Sequence, residues 1–528
     1  MAECVLGVET EYAVAGIREQ EAVDREIIVR RLLQLARSTL PHLRDSSSSG
    51  VFLENAARLY IDCGLHVEFA TPECLNPWDA VRYVEAGHRT LLELIQKFAK
   101  WRRREEETAC FRINVDYSGT GTTWGCHESY LHRMPPEELP LHLIPHLVSR
   151  VVYTGAGGFH PLSGGLRFTL SPRASLMERT LSADSTGSRG IFHTKEEPLC
   201  TGYHRLHVLC GESLCSQWAM FVKFGATSLV VAMAEAGLSP GKDVQLVAPL
   251  EALRVVGGDP QCKRTLRVKG STGMTAIDIQ RHYLAMAEAH LDESFMPPWA
   301  RAVCERWRRV LDLLESGPGA VSGVLDWGMK LALYAHHASA RGLNWDRLPF
   351  WAEIMDRHRH AVDLPPGDGQ IPLDLALGPE IPAPGAVAEL DTLLERKGLQ
   401  WDEFRRVQQF RAEFLEIDTR FGQLGPRGVF TLLDNAGVLN HRVPGIDNIE
   451  HAVRNPPSTG RAKLRGAVVR RVAEDKEGDW YCDWQRIYSN KHARLLDLSD
   501  PFAQTETWHD APPRGCQYHP DLFEDAPF

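Results

Sequence analysis

Apolar and polar residues alternate in two N-terminal runs, Gly7-Val-Glu9-Thr-Glu11-Tyr12 and Arg58-Leu-Tyr60-Ile-Asp62-Cys-Gly-Leu-His66-Val-Glu68-Phe-Ala-Thr71. Period-two alternation belongs to a strand with one buried face. It predicts a strand over residues 3–15 and a strand hairpin through 58–71, after a helix over 22–39 and a turn at Ser46 to Gly50. Even spacing aims Tyr60, Asp62, His66 and Glu68 at one face, and Glu9 with Glu11 at one side of their strand. After Asn76-Pro77, Val81, Val84, His88, Leu91 and Ile95 recur at helical steps, with proline at a favoured first position.

Phe111 to Val115 and Tyr203 to Cys210 alternate as strands, while Phe224 to Leu238 and Ala276 to His290 have helical spacing. Arg102 to Arg104 followed by Glu105 to Glu107 reads as a solvated helix end. Proline and glycine crowd between Asp363 and Gly385, the mark of an exposed loop or insert. A second compact unit is expected from about Gly428, holding a Pro456-Pro457 turn, a basic helix through Arg461, Lys463, Arg465, Arg470 and Arg471, and a strand or helix from Trp480 to Tyr488. No internal repeat is visible.

The chain's 528 residues exceed one compact core, which favours a large domain with a smaller companion. The net charge of -10, from 69 acidic and 59 basic residues, is spread along the chain and argues against nucleic acid. No signal segment and no run of eighteen apolar residues is found, since Lys223 breaks Met220 to Ala234; a cytoplasmic protein without a membrane role is expected. Twelve cysteines lie scattered without a C-x-x-C pair and read as reduced thiols.

Carboxylates gathered on one face stay ionised only beside a cation. Mg²⁺ prefers hard oxygens, and Glu9, Glu68 and the Tyr60 phenol suit it; the competing reading is a solvated strand face. Asp62 could accept a proton as general base or serve as a third ligand. Arg58 and Thr71 could hold phosphate oxygens. His127 beside Glu128, and Arg205 with His207, could ligate a second ion or stabilise a transferring phosphate, or be structural. Trp484, after Asp483, offers a ring for a purine or a core indole. The P-loop pattern is missing, and Gly119 to Gly125 misses the dinucleotide fingerprint.

Gly7 to Tyr12, Asn55 to Asp62, His66 to Cys74, Gly125-Cys-His-Glu-Ser-Tyr130, Arg205 to Leu209, Ala276 to Arg281, Pro456 to Gly466, Asp483-Trp484 and Asp500 to Phe502 together resemble the Pup ligase and Pup deamidase (depupylase) family, glutamine-synthetase-like carboxylate-amine ligases. The resemblance implies an α+β fold: a glutamine-synthetase-like cradle of curved, mainly antiparallel sheet backed by helices over residues 1–427, and a small C-terminal domain over 428–528. Residues from about 346 to 405 look like an insert relative to typical ligases. Carried over, Glu9, Tyr60 and Glu68 are Mg²⁺ ligands, with Glu11 and His127 beside them; Arg58, Thr71, Arg205 and Trp484 contact ATP; Asp62 is the catalytic base. The implied activity is an ATP-dependent isopeptide ligase that phosphorylates a glutamate carboxylate of a small Pup-like modifier and joins it to protein lysines. An amidase of the same fold and a small-molecule carboxylate-amine ligase are the alternatives. The short Tyr12 to Val51 connection favours the ligase branch over the amidase branch, which carries a long loop there.

Overall fold

The computed structural model describes residues 4–357 and 400–510, apart from 19–20, 48, 63, 102–105, 183–187, 194–198 and 476, and also residues 392 and 395. The first alternating run forms β1 (Leu6–Arg18), followed by α1 (Arg25–Thr39), whose Asp24 cap accepts the Glu26 amide. Four short strands come next: β2 (His42–Asp45), β3 (Gly50–Leu53), β4 (Arg58–Ile61) and β5 (Val67–Ala70). The second run is thus the expected hairpin. The chain reverses after Asp62, whose amide donates to the His66 carbonyl (3.1 Å), and Leu65 takes a left-handed φ of 58°. Tyr60 and Glu68 share a face because they are opposite each other across β4 and β5, while Asp62 and His66 sit on the turn.

Helix α2 (Pro77–Trp101) starts at the expected proline, and the Asn76 side chain accepts the Asp79 amide at 2.9 Å. Strand β6 is Glu106–Phe111, so Glu106 and Glu107 belong to a strand and not to a helix end, and the strand stops where the sequence pattern placed its start. The run at 102–105 lies outside the described residues. Strands β7 (Cys126–His132), β8 (Arg179–Ser182), β9 (Gly190–His193) and β10 (His204–Val208) precede the helical middle, which includes α3 (Gln217–Glu235), α4 (Ala276–Ala289) and α5 (Ala300–Glu315). After α6 (Trp401–Phe421) come α7 (Ile449–Arg454), α8 (Gly460–Val472), β11 (Trp480–Cys482), β12 (Arg486–Ser489), β13 (Arg494–Asp497) and β14 (Thr507–His509). Trp480 to Tyr488 is thus a strand pair. The Pro/Gly-rich stretch at 363–385 lies outside the described residues.

Fifteen strands form one mixed sheet in the order β8-β9-β10-β7-β1-β5-β4-β3-β2-β11-β12-β13-β14, with β6 and Glu21–Ala22 pairing with the far half of β1. Only β8 with β9 and β2 with β11 run parallel among the described pairs. Alternation fixes what each face does. Leu6, Val8, Cys126, Tyr130, Leu206 and Val208 enter the main core with α2 and α3, leaving Glu9, His127, Arg205 and His207 for the other face. Helix α3 is long and apolar enough to cross a membrane by composition, but it is a core helix with 89% of its apolar window buried. Its Lys223 lies 3.4 Å from Glu128, which also takes two bonds from Arg150.

Phe69, next to Glu68, packs with Leu91 and Leu94 of α2. A Cβ at Gly87 would sit 2.5 Å from Phe69 Cδ1, so the bare helix backbone at this point sets the spacing between α2 and the sheet. Gly87→Val should destabilise the fold by about 1–3 kcal/mol through overpacking. Urea unfolding checks this, and an unchanged midpoint would show that the contact sets nothing.

Candidate active site

The site is a product of register. Glu11 lies opposite Glu68 across β1 and β5, and Glu9 opposite His127 across β1 and β7, so both pairs face the same side. Ligand atoms of Glu11, Glu68 and His127 come within 4.8 Å of one another; the same holds for Glu9 with His127 and His207, and for Glu11 with Asp62 and His66. Gly125 leaves space for His127, since a Cβ there would meet its Nε2 at 2.5 Å. The Gly125 amide in turn donates to Glu11 Oε2 at 2.8 Å.

Electrostatics divides these groups. Burial pushes the Glu68 carboxyl well above its usual range, and the charges of Glu9 and Glu11 push it further. Tyr60 is likewise raised by burial and by Glu68 and Glu9. Burial would raise Glu11 too, but the nearby His66 and His127 imidazoles and the Arg173 charge prevail and hold it at about 2. Burial opposes charge on His66, yet the neighbouring Asp62 and Glu11 carboxylates raise it to about 9. Its Nδ1 stands 3.2 Å from Glu11 Oε2 and 3.4 Å from Asp62 Oδ2, while its amide donates to Asp62 Oδ1 at 2.6 Å. Burial lowers His127 and His207, disfavouring their charged forms.

A cleft open to solvent adjoins this wall and is lined by Gly7, Glu9, Thr71, Arg205, Arg461 and Trp484 among others. Thr71 Oγ1 accepts the Val8 amide at 3.1 Å. Arg58 is outside the lining: its guanidinium is ion-paired with Asp45, donates to Ser47 and Ser49 at 3.0 and 3.1 Å, and lies 4.0 Å from the Tyr60 ring. Trp484 meets Phe52 edge-on at 5.1 Å.

The donor set fits a hard divalent cation, because a dication removes the repulsion that raises Glu68. Glu128, although next to His127, points to the opposite face and is held at about 2 against burial by Arg150 and Lys223, so it is no ligand. Sequence reading missed Arg173, which is buried near Glu11, donates to Thr123 at 3.1 Å and to the Leu209 carbonyl at 2.9 Å, and keeps its Nε without a hydrogen-bond partner among the described residues. Nothing in Ser171-Pro-Arg173-Ala marks it, since only the fold brings it to the wall. His66 was legible as part of the wall but not as the bridge between Asp62 and Glu11, which depends on the turn.

The sequence model of the family described as Pup-ligase protein matches residues 4–364 and 387–488, and breaks across the Pro/Gly-rich stretch. A Pup–protein ligase of Acidimicrobium ferrooxidans is 31% identical over 96% of this chain and 97% of its own length. Pup–protein ligase 1 of Rhodococcus erythropolis is also 31% identical, over 95% and 97%. The ligase PafA, solved in complex with the prokaryotic ubiquitin-like protein Pup, superposes with a TM-score of 0.70 at 25% identity, covering 95% of this chain and 90% of that one. PafA in complex with ADP gives 0.65 at 25% identity, with 92% of each chain covered. Those structures share the curled half-barrel sheet backed by helices, so the α+β cradle expected from sequence is the fold.

Because the folded-state value of Glu68 is raised, its contribution to stability is full below the unfolded carboxyl value and is lost as pH rises through the folded one. Without metal, Glu68→Gln should melt higher than the parent near neutral pH, and the gap should shrink toward about pH 4. Mg²⁺ with ADP should stabilise the parent more than the variant. Equal melting at neutral pH, or equal stabilisation by Mg²⁺ and ADP, would contradict the assignment.

Proposed function

This chain belongs to the Pup-ligase family, and from that premise we propose that it is an ATP-dependent isopeptide ligase joining a side-chain carboxylate of a small Pup-like modifier to lysine amines of proteins. The single observation that carries the reading is convergence: Glu9 lines the cleft with Thr71, Arg205 and Trp484, and also stands in the carboxylate wall. The similarity lies with Pup–protein ligases, so the amidase and small-molecule alternatives are not carried further.

A carboxylate cannot expel oxide when an amine attacks it. Transfer of the γ-phosphoryl group of ATP to the modifier's glutamate makes an acyl phosphate, whose phosphate leaves readily. Glu9, Tyr60 and Glu68, with Glu11 and His127 beside them, would hold Mg²⁺; when bound, it neutralises charge on the transferring phosphoryl group. Arg205 lines the cleft as a phosphate contact, and Thr71 and Trp484 border it for the nucleotide. Arg58 acts with them from its place beside Tyr60.

The incoming lysine is almost wholly protonated near neutral pH, given a free value of about 10.4. Asp62 takes that proton. His66 fixes the carboxylate for the task through its amide and ring, so the acceptor oxygen stands at the edge of the wall. Trp484, from the C-terminal part of the chain, completes the cleft. Free and mostly buried cysteines suit a cytoplasmic setting.

The test is to supply ATP, Mg²⁺, a modifier ending in glutamate and a lysine-bearing protein. One ADP should be released per isopeptide bond formed; bond cleavage with little ATP use would overturn the reading. Asp62→Asn should bind Mg²⁺ and ADP as the parent does, yet lose product formation by about 10²-fold or more. Normal turnover in that variant would remove Asp62 from the mechanism.

A further inference from the structure

Glu73 follows β5 by three residues and carries no role in the chemistry above, yet it holds two arginines of α8. Its Oε1 accepts from Arg461 Nε at 2.5 Å and from Arg465 Nη2 at 2.8 Å, and its Oε2 accepts from Arg465 Nη1 at 2.7 Å. The guanidinium-bearing side chains are 4% and 0% exposed. Burial would raise Glu73, but Arg465 and Arg461 prevail and hold it at about 2.

Each arginine carries the clamp onward to the cleft. Arg465 Nη2 donates to the Trp484 carbonyl at 2.9 Å, and its guanidinium lies 4.9 Å from the centre of the Trp484 ring. Trp484 lines the cleft and Arg465 does not, so the cation contacts the indole from outside the cavity. Arg461 Nη1 donates to the carbonyls of Leu199 and Leu498 at 2.6 and 3.0 Å, and the Arg461 amide donates to the Pro501 carbonyl at 3.1 Å. Leu199, Pro501, Glu73 and Arg461 all line the cleft. One carboxylate thereby gathers the N-terminal sheet, the loop at 199 and the C-terminal strands around a single cavity.

We infer that Glu73 is a positioning residue which, through Arg461 and Arg465, sets Trp484 and closes the nucleotide cleft, so that nucleotide occupancy and docking of the C-terminal segment reinforce each other. The inference rests on the reading of this cleft as the nucleotide site. Removing the carboxylate leaves two guanidinium groups buried without their acid, and the walls they tie lose their common anchor. By linkage, whatever docking contributes to nucleotide affinity, nucleotide must return to docking.

Mg²⁺ and ADP are titrated calorimetrically into the parent, Glu73→Gln and Glu73→Asp, and amide hydrogen exchange of α8 is followed in the parent with and without ADP. ADP should bind Glu73→Gln at least tenfold more weakly, with partial recovery in Glu73→Asp. The KM for ATP should rise while kcat at saturating ATP stays within a few-fold. ADP should slow exchange across Gly460–Val472 in the parent, a readout that stands even if the variants fail to fold. Folded Glu73→Gln binding ADP within twofold of the parent, or α8 exchange indifferent to ADP, would overturn the clamp while leaving the nucleotide site intact. A parent that binds no ADP would sink both.

Discussion

Like charges forced together in a protein wall are the constraint around which the rest is arranged. Ligand atoms of Glu11, Glu68 and His127 lie within 4.8 Å of one another. At that separation two ionised carboxylates repel by on the order of 3 kcal/mol for an effective dielectric of about 20. The fold accepts this because the strands carrying them bury substantial apolar surface on the reverse face, with Val8, Phe69 and Tyr130 all nearly inaccessible. A wall that repels itself when empty discriminates in favour of a small, doubly charged, oxygen-seeking ion.

The same sheet also explains why the C-terminal residues matter. Parallel pairing of β2 with β11 extends the sheet beyond its N-terminal strands, and Leu43 and Phe52 share a core with Leu464, Val468 and Ile487. The indole lining the cleft therefore arrives on a continuation of the strands that carry the carboxylates. Charge on the outer walls is managed differently from charge in the wall itself: Glu73 and Glu128 are each held by two cationic side chains and ionise readily, whereas Glu68 makes no ion pair among the described residues and stays reluctant. Permanent ion pairs serve architecture, and the unpaired acid is the one kept for a ligand.

Much of this could be read in the chain before folding. Alternation placed Glu9, Glu11, Tyr60 and Glu68 on common faces, and the proline after Asn76 placed the start of α2, because both signals are local. What failed was non-local or hung on one turn. The hairpin through 58–71 was expected, but even spacing put Asp62 and His66 on the strand face, whereas the turn carries them. His127 and Glu128 looked like a pair in sequence, but the pleat sends them to opposite faces, one to the wall and one to Arg150. Arg173 and the Glu73 clamp involve partners far along the chain, which no short pattern encodes.

The central claim is that the acidic wall exists to grip a divalent ion beside a nucleotide. Crystals grown with ADP and Mn²⁺ in place of Mg²⁺, measured at the manganese absorption edge, test it most directly. The account places anomalous density among Glu9, Tyr60 and Glu68, next to the cleft bordered by Trp484. Manganese bound only elsewhere, or ADP seated in the cleft with no ion against those three side chains, would contradict it.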